Sequence, residues 1–152
     1  MTSIRGLLLA AALALAAPVF AQDMQGLAQK IKADKRQVVS QSMQLTDAEA
    51  KGFWPVYDAV EKDLGALYER QSKLIASYAE AYNKGPIPEA TAKKLTDEAL
   101  ALEDQEAKLR RGCAARLAKV LPAVKVLRYL QLESKIRAVV RYELAANIPL
   151  AQ

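Results

Sequence analysis

The sequence predicts an all-α fold of four helices, two of them long and folded back as an antiparallel hairpin, with a second copy completing an elongated homodimer. Three observations predict it. Strand signals are missing, while Ala and Leu dominate and Gly is rare. Apolar residues recur at three- and four-residue intervals over most of the chain. The clearest interruption, Gly85-Pro86-Ile87-Pro88, separates the two longest periodic runs.

Residues 1–21 read as a secretory signal peptide. Arg5 supplies the positive end, Gly6 to Ala17 an unbroken apolar run, and Val19-Phe20-Ala21 puts small residues at the two positions that a signal peptidase reads. The run is shorter than the roughly 20 apolar residues that span a bilayer. Cleavage after Ala21 leaves one domain, residues 22–152. Export implies the periplasm, where cysteines usually pair. Cys113 is alone, so no internal disulfide forms and packing must hold the fold. Cys113 falls on the apolar spacing of its helix, which favours burial over an intermolecular link.

The first helix is expected from about Met24 to Gln44, with Leu27, Ile31, Val38 and Met43 as its apolar positions. Leu45-Thr46-Asp47-Ala48-Glu49 then reads as a capping box. The Thr46 hydroxyl accepts from the amide of Glu49, whose carboxylate reaches back to the amide of Thr46. Asp47 adds negative charge at the positive end of the helix dipole. The second helix is expected from Asp47 to about Asn83, carrying Phe53, Val56/Tyr57, Val60, Leu64, Leu67/Tyr68, Leu74/Ile75, Tyr78 and Tyr82 inward. Pro55 predicts a kink near its start. Trp54, one position off this stripe, is expected to face a partner or the first helix.

Gly85 suits a left-handed helix end and Pro88 the first turn of the next helix. The third helix is expected from Pro88 to Val120. Leu95, Leu102 and Leu109 repeat every seven residues, as do Ala92, Ala99, Cys113 and Val120 with Glu106 interrupting, which resembles a coiled-coil seam. Leu121-Pro122 marks a boundary or a sharp kink. A fourth helix follows from Ala123 to Ala146, with Val126, Tyr129/Leu130, Ile136, Val140 and Leu144 as its stripe, stopped by Asn147-Ile148-Pro149. Helices of over 30 residues, about 45–50 Å long, leave a thin core. That favours a homodimer over the alternative, a compact monomeric bundle.

Composition excludes much chemistry. There is no His, so neither a His-based general base nor a Ser-His or Cys-His device exists. No clustered ligand spacing suggests a metal, and no Gly-rich phosphate loop appears. No catalytic residue, metal site or cofactor is expected, and the chain is not expected to be an enzyme.

Charge is uneven. From Glu106 to Arg141 ten basic residues face two acidic ones, giving that segment +8. One reading is a solvated or salt-bridged helix face. The functional reading is a basic binding surface, with Arg110, Arg111, Arg116, Lys119, Arg128 and Arg137 as its candidate residues. It would attract acidic client chains, a partner protein or anionic lipid headgroups. Nucleic acid is not expected outside the cell.

The chain resembles the LTxxQ-motif periplasmic proteins related to Spy and CpxP. The resemblance rests on the export signal, about 130 helical residues, Leu45 and Thr46 of the motif, and a hairpin of long helices. A second helix-opening segment at Leu121-Pro122 stands where the family repeats its motif. Position 49 is Glu where the family has Gln, and Pro122 replaces the second Thr. The resemblance implies a cradle-shaped antiparallel homodimer with a basic concave surface and a role in envelope stress, through chaperoning or damping of a sensor. A metal-sensing branch uses His ligands, which this chain lacks. The expected function is a periplasmic, chaperone-like binding protein. The alternative is a regulatory accessory subunit of an envelope sensor, transport or metal-resistance system.

Overall fold

A computed structural model describes residues 34–152; the expected signal peptide, and Met24, Leu27 and Ile31 of the first helix, lie outside the described residues. The protein is all-helical, with four helices and no strand among the described residues. They are α1, described over 34–43, α2 (Asp47–Asn83), α3 (Glu89–Leu117) and α4 (Ala123–Asn147). The chain divides into two units between Ser42 and Met43. In the described part of the first unit the buried apolar residue is Val39, while Val38 is exposed, so that position is offset by one from the expected one; Met43 is buried as expected.

In the second unit, α2 opens at the Thr46 capping box. The Thr46 amide donates to Glu49 Oε2 (2.8 Å) and the Glu49 amide to Thr46 Oγ1 (3.3 Å). The helix runs unbroken through Pro55 to Asn83. Pro55 brings no amide for the carbonyl of Lys51, so tertiary packing must carry the helix across that missing bond. Phe53, Tyr57, Val60, Leu64 and Leu67 are buried. Their alternating four- and three-residue steps form a narrow seam of coiled-coil type.

Gly85 adopts φ +114°, a conformation that side chains resist, directly after the C-cap Lys84. Pro88 then caps α3. Along α2 and α3 the pairings run in opposite numerical order. Arg70 bonds Glu98 (2.7 Å) and Gln105, Arg116 lies 3.9 Å from Asp63, and Gly52 lies against Val120.

From α3, Leu102, Cys113 and Leu117 are buried. The helix ends at Leu117, three residues before the expected end, and 118–120 form turns. The Val120 and Leu121 amides both donate to the carbonyl of Leu117. This tight exit buries Leu121 and leaves Val120 exposed. Pro122, extended and lacking a donor, caps α4. The core is concentrated where α2, α3 and α4 meet: Phe53 packs edge-on against Tyr129, with ring centroids 5.4 Å apart. Beyond Leu67, no residue of α2 is fully buried.

Candidate functional site

The basic residues of α3 and α4 separate into two groups. In the first, the charge is met within the chain. Glu106, which interrupts the apolar seam of α3, accepts from Arg137 (3.2 Å) and Arg141 (2.8 Å) of α4. Arg116 approaches Asp63. Lys125 binds the Glu49 carboxylate and the carbonyl of Gln44 (2.8 Å). The capping box of α2 is thereby tied to the first turn of α4. Lys125 beside it, and then the Thr46 amide, hold the Glu49 carboxyl below the usual carboxylate range. Gln44 itself has φ +48°, an uncommon conformation for a residue with a side chain.

The second group points its charge to water. Arg111 and Lys119 are exposed and make no ion pair among the described residues. Arg128 is exposed, with one long contact of 3.5 Å to Gln44 Oε1. Exposed Val120, Val124 and Leu127 occupy the same stretch of chain. Thus the α3–α4 turn and the opening of α4 combine solvated cations with uncovered apolar side chains.

Arg110 belongs to neither group. It is half-buried and, with Cys113, Tyr129, Glu133, Val60, Leu64, Leu109 and Leu130, lines a cavity of about 20 Å³, room for about one water. Its Nε is buried without a hydrogen bond. Burial, and then the charge of Glu133, push the Tyr129 phenol above its ordinary range. This cavity is too small for a substrate, and it lies between three packed helices, with Cys113 and Tyr129 buried and Arg110 and Glu133 half-buried at its wall.

The six basic residues singled out from the sequence differ in their surroundings. Arg137 and Arg116 pair with acidic residues of other helices, Arg110 lines the core cavity, and Arg111, Lys119 and Arg128 remain solvated. The structural motif residues sit together at helix starts: Leu45, Thr46 and Glu49 open α2, and buried Leu121 with Pro122 opens α4.

Sequence reasoning passed over one apolar set. On α4, Val124 (65% exposed), Leu127 (55%), Val139 (65%) and Tyr142 (72%) are uncovered. At 100° per residue they lie opposite the Val126, Tyr129, Ile136 and Val140 stripe. Apolar residues on both sides of one helix are a signal that the sequence already contains. Among the described residues no group of three or more Cys, Asp or Glu could hold a metal ion, and no helix is long and apolar enough to cross a membrane. No family model, curated protein or solved structure matches this chain.

Proposed function

We propose that this protein is a periplasmic, chaperone-like binding protein of the envelope-stress type, which holds clients reversibly on a mixed basic and apolar helical surface. The observation that carries the proposal is the juxtaposition, over residues 111–128, of solvated Arg111, Lys119 and Arg128 with exposed Val120, Val124 and Leu127. Exposed charge steers acidic chains into encounter, and scattered apolar contacts hold them weakly enough to release. Export by the N-terminal 21 residues and the LTxxQ-like opening of α2 agree with this reading. In it α2 and α3 form an antiparallel hairpin about Gly85–Pro88. Pairing of two copies would cover the half-buried distal residues of α2, such as Leu74 and Ile75.

The test is suppression of aggregation of a chemically unfolded client, followed by light scattering with the chain from Gln22 onward. The triple variant Arg111→Glu/Lys119→Glu/Arg128→Glu should lose at least most of the suppression while keeping its helical circular dichroism. Unchanged suppression would overturn the proposal.

A further inference from the structure

The outer face of α4 has a pattern of its own. Val124, Leu127, Arg128, Gln131, Lys135, Ala138, Val139 and Tyr142 fall within a sector of about 120° when the helix is unrolled at 100° per residue. All are exposed. The sector is apolar at both ends, with cationic Arg128 and Lys135 between. From Val124 to Tyr142 it extends about 27 Å at 1.5 Å per residue. The opposite side of the helix packs on α2 and α3 through Tyr129 and the Glu106 ion pairs. The outer apolar residues therefore do nothing for the fold of this chain. Two uncovered apolar patches flanking a pair of cations on the outer face of a packed helix have the pattern of a docking surface for an amphipathic partner.

We infer that this face docks an acidic amphipathic segment of a partner polypeptide, apolar at both ends and carboxylate-bearing at its centre. The inference rests on the proposed binding function and names the surface and the ligand class. Three physical points select that occupant. A second copy laid α4 against α4 in antiparallel fashion would bring the central cations of the two faces together, at a repulsive cost. A bilayer surface would have to accept Lys135 in the middle of the apolar strip, where immersion is costly. A carboxylate opposite Lys135 and Arg128, with apolar side chains over Val124, Leu127, Val139 and Tyr142, satisfies both parts of the pattern.

The test uses the chain from Gln22 onward and two fluorescent 18-residue helical peptides. Both have apolar spines at their ends; one has Glu and the other Lys at the central positions. Fluorescence anisotropy should show the Glu peptide binding at least tenfold more tightly than the Lys peptide. Lys135→Glu should reverse that order, and Val139→Ser/Tyr142→Ser should weaken the Glu peptide at least tenfold with circular dichroism unchanged. Equal binding of the two peptides, or no response to Lys135→Glu, overturns the inference. So does binding of phosphatidylglycerol vesicles without peptide binding, which would make the face a lipid site. Sedimentation showing a dimer that Val139→Ser/Tyr142→Ser dissociates also overturns it, in favour of a second copy. Client suppression without peptide binding sinks this inference and leaves the proposed function standing. Peptide binding without suppression does the reverse.

Discussion

Gly52 and Val120 meet where α2 passes the α3–α4 turn: a β-carbon on Gly52 would lie 2.8 Å from the Cβ of Val120. That contact is closer than two carbons tolerate, and the obstructing atom is next to the backbone, so it cannot swing away. Gly52→Ala should lower stability by about 1–3 kcal/mol, the usual cost of overpacking. Thermal unfolding of Gly52→Ala, Val120→Gly and the double variant forms a cycle. The double variant should lose less than the two single losses together; strict additivity would show that the contact does not govern the junction.

The capping box predicts a second effect. Thr46→Ala should cost about 1 kcal/mol, the typical value for losing an N-cap hydroxyl, read from a chemical denaturation midpoint. No change in that midpoint would contradict the cap.

Glu49 links that cap to pH. Its carboxyl is held below the ordinary carboxylate range by Lys125 and by the Thr46 amide. The stabilisation is therefore present above the unfolded value near 4.5 and is lost as pH falls through the folded value. Glu49→Gln can still cap, because an amide oxygen also accepts the Thr46 amide, but it does not titrate. Between pH 5 and pH 3 its denaturation midpoint should fall less steeply than that of the wild-type chain. Parallel curves would remove Glu49 from the acid response.

Tyr129 makes the opposite prediction at high pH. Its side chain is 1% exposed, and burial with the nearby Glu133 charge raises its pKa. The stability it contributes is complete below the unfolded value near 10 and declines as pH rises above it, because the unfolded chain loses the proton first. Titration of tyrosine absorbance should show a phenol that ionises only on unfolding and that is missing from Tyr129→Phe. Ionisation of all six tyrosines in the folded protein would contradict the packing.

Cys113 is buried at 2% exposure among the helices of the core. Its thiol should react with a bulky disulfide reagent only at the rate of unfolding, and denaturant should raise that rate sharply. Fast labelling in native buffer would mean that α3 opens locally.

How far the sequence foretold these features depends on the range of each interaction. The bounds of α2 and the Thr46–Glu49 cap were legible because both are local: cap, spacing and stop lie within a few residues. The end of α3 was placed three residues late, because Val120 keeps the seven-residue spacing although the chain has already turned at Leu117. The fate of the arginines was hidden. Arg137 reaches Glu106 across 31 positions and Arg70 reaches Glu98 across 28, and neither spacing follows from helical periodicity. The second apolar side of α4 was in the sequence throughout. One inward stripe accounts for Tyr129 and Val140 and leaves Val124 and Tyr142 without a role.

The chain's last residues are fastened to α2. The Tyr78 hydroxyl donates to the carbonyl of Pro149 (2.8 Å), and the Gln152 amide donates to the Tyr82 hydroxyl (3.2 Å). At its near end α4 is held to α2 by Phe53 against Tyr129 and by Lys125 on Glu49, whereas the segment after α4 is held to α2 by two exposed polar bonds. The far mooring is the weaker and should slip first. Fusing an affinity tag behind Gln152, or phosphorylating Tyr78, would cast off residues 149–152 alone, while the aromatic cluster and the Glu106 ion pairs kept α4 in place.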